Sequence, residues 1–223
     1  KLQLIIHGGW LDEWVLKFER AVFGIQPTLW LEQFTTPALT EWMMFSYMFY
    51  FLMYPIICGI IFFRHGETAM EDYFFSLGLT NILCDLGFIL FPVAGPMYTV
   101  GHFYKVPLEG SFWTPIGEYV RRELQYMGGT IPSPHCAAAT IMWAMAFRYH
   151  RPTFWFLTPL VLSLYVSTFY GRYHYLSDAI VGIAVAFFAI RVVPNLTRVW
   201  ERALRKPVAA EVLEPVTTTE TVR

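Results

Sequence analysis

The 223 residues are 56% hydrophobic and only 15% charged, against roughly 25% charge in soluble domains; with a mean hydropathy of +0.43 this is the composition of an integral membrane protein. A formal net charge of −1 supplies no electrostatic footprint for nucleic acid. Cys58, Cys84 and Cys136 lie in or beside apolar stretches with no CxxC spacing, which argues against a disulfide framework or a zinc site and makes them small core residues.

In chain order, residues 1–40 come first. Trp10, Leu11, Trp14, Val15, Leu16 and Phe18 alternate with Asp12, Glu13, Lys17, Glu19 and Arg20. That pattern predicts an amphipathic helix, either lying in the membrane interface on its tryptophans or packed on the rest of the chain. Residues 42–63 carry no charge and suffice to cross a hydrocarbon core of ~30 Å. Residues 73–92 form a second span, interrupted only by Asp85; Asn81 and Asp85 are expected to make a polar contact between helices. A polar connection rich in Gly and Pro follows over 97–133. Residues 136–147 and 179–190 are apolar but short, and flank a clear span at 153–170. The short pair reaches spanning length if each helix starts at its preceding polar motif and Arg148 and Arg191 snorkel.

The expected fold is therefore all-α, a polytopic bundle with about five spans. Its organisation is an interfacial segment at 1–40, a membrane core at 41–195, and a basic then polar cytoplasmic tail at 196–223. Arg64, Arg148, Arg151, Arg198, Arg202, Arg205 and Lys206 fall on one side, which the positive-inside bias makes cytoplasmic. The 97–134 connection and the 171–177 turn then face the periplasm, a lumen or the exterior. The N-terminus lies on that side too, and with neither an initiator Met nor a signal peptide an upstream membrane helix is expected before Lys1.

The chemistry-bearing residues sit at the outer ends of the two short helices. In Ile131-Pro132-Ser133-Pro134-His135, Ser133 is a good N-cap and Pro134 a good first helical residue. A helix start there favours an anion, phosphate above all, with His135 in the first turn. In Gly171-Arg172-Tyr173-His174-Tyr175-Leu176-Ser177-Asp178, His174 and Asp178 share a helix face. A carboxylate on one ring nitrogen fixes the tautomer and frees the other nitrogen to attack or to shuttle a proton. Arg172 is a candidate phosphate clamp.

Pro-Ser-x-His at His135, followed by His174-x-x-x-Asp178, resembles the type 2 phosphatidic acid phosphatase superfamily. Phe91-Pro92-Val93-Ala94-Gly95-Pro96-Met97-Tyr98 is similar to a Pro-rich motif of its inositol phosphorylceramide synthase branch. The resemblance covers roughly residues 42–194 and implies a six-helix membrane bundle. It implies His174 as the nucleophile that becomes a phosphohistidine, Asp178 as its orienting carboxylate, and His135 as the acid and then base. It implies a lipid phosphate or phospholipid substrate within membrane lipids, and neither metal nor cofactor. The Lys-x6-Arg-Pro motif of the phosphatases is absent and Thr168 stands where they carry an Arg. Lys105, Arg121 and Arg122 become candidate replacements beside Arg172 and Ser133. The activity expected is a lipid-phosphate phosphohydrolase. The alternatives are a phosphotransferase delivering a phospho-headgroup to an alcohol, whose pocket Tyr98, His102, Phe103, Tyr104, Phe112, Trp113, Tyr119 and Tyr126 could wall, and a non-enzymatic transporter or scaffold on the same fold.

Overall fold

The computed structural model describes residues 4–124 and 127–204. Among them the regular structure is helical: α1 (Asp12–Phe23), α2 (Pro27–Trp30), α3 (Pro37–His65), α4 (Glu67–Leu90), α5 (Pro96–Thr99), α6 (Trp113–Leu124), α7 (Pro134–Tyr149), α8 (Arg151–Tyr170) and α9 (Leu176–Leu204). Four of them, α3, α4, α8 and the Leu176–Trp200 part of α9, are long and apolar enough to cross a membrane. This is a polytopic helical bundle, the architecture of an integral membrane protein.

The fifth expected span is α7. Its 16 residues cover about 24 Å at 1.5 Å per residue, short of a ~30 Å core. It needs no greater length, because it packs against α3, α4, α8 and α9 and runs through the middle of the bundle. Cys136 to Met142 are almost completely buried there, and Ala137, Ala138 and Ala139 let the neighbouring backbones approach. The other short run, 179–190, understates its helix: α9 continues through Arg191, Arg198 and Arg202 to Leu204. The 196–223 tail thus begins as helix, and 205–223 lie outside the described residues.

One expectation fails on α4. Asn81 and Asp85 are both exposed and make no side-chain hydrogen bond among the described residues. Their spacing put them on one face, but the face that packs inward is the one carrying Tyr73, Leu77, Cys84 and Phe88.

Helix α1 joins both readings of its amphipathic pattern. Trp14, Phe18 and Val22 are exposed, while Asp12, Val15 and Glu19 are buried against the bundle. The buried carboxylates are fully employed. Asp12 accepts from the backbone N–H of Ala94 (2.7 Å) and Gly95 (2.9 Å), from the Thr99 hydroxyl (2.8 Å) and from the Tyr175 hydroxyl (3.0 Å). Glu19 accepts from the backbone N–H and the hydroxyl of Ser177, at 2.8 and 3.0 Å, and from the Gln26 amide at 2.7 Å.

Burial pushes the Glu19 carboxyl above its ordinary value, against the Ser177 bonds that pull it down. A carboxyl raised on folding contributes stability that is fully present below its unfolded pKa and is lost as pH rises through the folded one. In Glu19→Gln, the new amide can meet Gln26 Oε1, which is buried without a partner among the described residues, once the Gln26 amide turns over. The parent should therefore gain melting temperature relative to Glu19→Gln as pH falls from 7.5 to 5. A difference in Tm that stays constant over that range would contradict it.

Candidate active site

Two helix starts are tied together at one end of the bundle. Ser133 caps α7, its hydroxyl accepting from Cys136 N–H at 3.4 Å, with Pro134 in the first turn. Its own N–H donates to the Asp178 carbonyl at 2.9 Å, so the start of α7 is bonded to the first turn of α9. Asp178 reaches back to accept from the Tyr175 N–H at 2.9 Å, the reverse half of a capping box. At the end of α8 the Thr168 carbonyl accepts from both Tyr173 and His174 N–H, at 3.1 and 3.0 Å. Thr168, which stands where the phosphatase pattern has an Arg, thus holds the His174 backbone.

The side chains converge from there. The His135 and His174 rings meet edge to face, centroids 5.6 Å apart. His174 Nδ1 donates to the Thr130 carbonyl at 3.0 Å, with Asp178 Oδ2 at 3.5 Å. A carbonyl only accepts, so Nδ1 carries the proton and Nε2 keeps its lone pair. Asp178 is completely buried. His135 Nε2 lies 3.0 Å from the Tyr47 hydroxyl, and its Nδ1 is buried without a partner among the described residues.

Both histidines line a cavity of about 320 Å³ with Tyr47, Phe51, Phe88, Arg121, the Gly128-Gly129-Thr130 segment and Tyr173. The segment is pinned to the Pro-rich stretch: Gly128 N–H donates to the Ala94 carbonyl at 3.4 Å and the Thr130 hydroxyl to Val93 at 3.2 Å. Gly128 and Gly129 have φ of +103° and +73°, conformations that glycine adopts without strain.

The candidate phosphate ligands divide. Arg121 lines the cavity, its Nε and Nη2 donating to Glu118 and its Nη1 to Met97 Sδ. Arg172 does not: its guanidinium stacks on Tyr104 at 4.0 Å, pairs with Glu32 at 3.7 Å and donates to the Val106 carbonyl. Lys105 and Arg122 are exposed and outside the lining, and Ser133 serves as the buried cap. Sequence reasoning passed over Tyr47, Thr130 and the Gly128-Gly129 pair; only the glycine dipeptide carried a signal, that of an unusual backbone.

The family model of the PAP2 superfamily matches residues 13–192, most of the chain. The chain belongs to the PAP2 superfamily. No curated protein and no solved structure matches it. That superfamily is generally one of phosphatase- and phosphotransferase-type enzymes acting on lipid phosphates in membranes. The Pro-Ser-x-His and His-x-x-x-Asp motifs, both within the matched residues, are the ones the fold brings to one cavity.

The junction of α7 and α9 relies on Gly182. A Cβ there would lie 2.4 Å from the Ser133 carbonyl oxygen and 3.1 Å from its nitrogen, and backbone cannot yield as a side-chain tip can. Gly182→Ala should force the two helix starts apart, lowering turnover on a lipid phosphate and the Tm together by overpacking of about 1–3 kcal/mol. Unchanged turnover and Tm would show that the junction tolerates separation.

Proposed function

We propose that this PAP2 superfamily protein is a membrane-embedded lipid-phosphate phosphohydrolase working through a phosphohistidine on His174. The observation carrying the proposal is the pairing of His135 and His174 across one cavity, with Nδ1 of His174 committed to Thr130 and Asp178. That commitment leaves Nε2 as the nucleophilic nitrogen.

In the first half-reaction Nε2 of His174 attacks phosphorus, the bond to the lipid alcohol breaks, and His135 supplies the proton the departing oxygen needs. As Nε2 becomes bonded to phosphorus the imidazole turns cationic, and Asp178 and the Thr130 carbonyl stabilise that charge. In the second half-reaction His135 takes a proton from water, which attacks phosphorus and releases His174. Arg121 is the cationic phosphate ligand in this reading, shared with Glu118. The Gly128-Gly129 backbone, free of Cβ atoms, lets a phosphate come close.

Water rather than an alcohol is favoured as acceptor by what lines the cavity. Tyr98, His102, Phe103, Tyr104, Phe112, Trp113 and Tyr119, the aromatics that could have walled an alcohol pocket, are all outside the lining; Tyr126 lies outside the described residues. The phosphotransferase reading, with its likeness to inositol phosphorylceramide synthases, rests on the Pro-rich stretch, and Val93, Ala94 and Gly95 there are engaged in holding Gly128, Thr130 and Asp12.

Purified protein in detergent should release inorganic phosphate from a lipid phosphate and form an acid-labile phosphoenzyme. His174→Ala should abolish both, and Asp178→Asn should slow turnover without unfolding the chain. A fully active His174→Ala ends the phosphohistidine proposal, and a phosphodiester formed with added inositol at the expense of free phosphate would reassign the acceptor.

The site is assigned to the outer membrane face, because Arg64, Arg148, Arg151, Arg198 and Arg202 fall at the opposite ends of the helices. In intact cells expressing a variant without the native cysteines, Ser111→Cys should react with an impermeant thiol reagent and Thr68→Cys should not. Reversed labelling inverts the orientation.

A further inference from the structure

Tyr47 has no part in the scheme above, yet its hydroxyl occupies the one hydrogen-bonding position of His135 that is satisfied. His135 Nδ1 is closed off from solvent and has no partner among the described residues, so proton exchange with the cavity uses Nε2. The Tyr47 hydroxyl stands 3.0 Å from Nε2, and Tyr47 itself lines the cavity. Its ring is held on two sides, against His135 at 4.9 Å and stacked on Tyr173 at 4.8 Å, which restrains the hydroxyl from swinging away. Tyr50, one turn along, also touches the His135 ring at 5.0 Å, but its hydroxyl is bonded to Tyr54.

We propose that Tyr47 is a catalytic residue, the proton relay between His135 and the reacting oxygen; the proposal rests on His135 being the acid of the phosphoryl transfer. As the phosphorus–oxygen bond to the lipid alcohol breaks, its electron pair passes to that oxygen, which takes the phenolic proton of Tyr47. The phenolic oxygen takes the Nε2 proton of the His135 imidazolium in the same motion, leaving neutral imidazole and intact phenol. In the return step water gives a proton to Tyr47 as its oxygen attacks phosphorus. Tyr47 passes its own proton to Nε2, and the electron pair of the phosphorus–nitrogen bond returns to His174. Each residue ends as it began, and no free phenolate is required. A hydroxyl suits the task because it donates and accepts at once.

The test separates relay from packing by the leaving group. A lipid phosphate expels an alkoxide-like oxygen that must be protonated, whereas p-nitrophenyl phosphate expels a stable anion that need not be. Tyr47→Phe keeps the ring and its stacking. It should lower kcat/KM on the lipid phosphate by a factor on the order of 10²–10⁴, the usual worth of general acid catalysis, and stay within about threefold of the parent on p-nitrophenyl phosphate. His135→Ala should repeat that pattern, and the double variant should be no slower than His135→Ala alone, as groups acting in one unit behave. Tyr50→Phe, which removes a hydroxyl from the same face of α3, should leave both substrates unchanged. Equal losses on both substrates, no loss on the lipid phosphate, or the same effect from Tyr50→Phe overturns the relay. Phosphoenzyme trapping distinguishes the two levels: a parent that forms none on His174 overturns the phosphohistidine reading and the relay with it, whereas a phosphoenzyme with an indifferent Tyr47→Phe overturns the relay alone.

Discussion

The Asp12 carboxylate is the constraint on which the site's geometry depends. A carboxylate in a water-poor interior is tolerated only where hydrogen bonds replace its hydration, and Asp12 finds four donors: two backbone N–H groups of the Pro-rich stretch, the Thr99 hydroxyl and the Tyr175 hydroxyl. Each bond fixes a different part of the same construction. The Pro-rich stretch so held presents the Val93 and Ala94 carbonyls to Thr130 and Gly128. Thr130 presents its carbonyl to His174 Nδ1. A continuous series of hydrogen bonds therefore runs from a helix at the edge of the bundle to the His174 imidazole. Glu19, two turns along α1, does the same for Ser177. The His174–Asp178 segment is gripped from outside at Tyr175 and Ser177, two of the three residues between those side chains.

This arrangement answers a difficulty specific to a membrane enzyme. The helices must be apolar where they meet lipid, so they contribute few polar groups with which to anchor a site. Here the anchoring groups arrive from outside the spans, on α1 and on the connections between helices, and they meet helix starts whose backbone amides need partners in any case. The bond from Ser133 N–H to the Asp178 carbonyl belongs to the same economy, joining α7 to α9 without a side chain. Gly182 keeps the space for it.

Much of the fold was legible because it is written in hydropathy. Long apolar runs located α3, α4 and α8, and the Ser133-Pro134 start and the His174/Asp178 spacing located the starts of α7 and α9. The boundaries that went astray did so for one reason: an apolar run stops at the first charge, but a helix does not, so α9 runs well past Arg191. At the site, residues whose roles are local to one helix were readable, such as Ser133 as a cap. Contacts made by backbone, such as Thr130 to His174, leave no mark on residue type. Tyr47 is one of three tyrosines on α3, with Tyr50 and Tyr54, and nothing in their spacing says which meets His135. Arg172 was plausible by proximity to His174, but its backbone at φ +67° accompanies a side chain directed to Glu32 and Tyr104. Asp12 and Glu19 read as the polar face of an amphipathic helix, and the pattern could not distinguish charges turned to water from charges turned to unsatisfied donors.

The same geometry bears on how the site handles charge. Of Lys105, Arg121, Arg122 and Arg172, Arg121 alone lines the cavity, and it is already bonded to Glu118. On the proposed reading, an arriving phosphate competes with Glu118 for that guanidinium instead of meeting an unpaired charge. The competition weakens ground-state binding. It does less harm to the transition state, where negative charge spreads over the equatorial oxygens and the guanidinium fork can face two of them. Interactions that strengthen on the way to the transition state raise turnover, whereas those made equally with substrate only tighten binding. On the proposed hydrolase reading, a site furnished with one shared arginine and two close glycines is thus suited to release its product phosphate, the step that a hydrolase, unlike a transferase, must complete in every cycle.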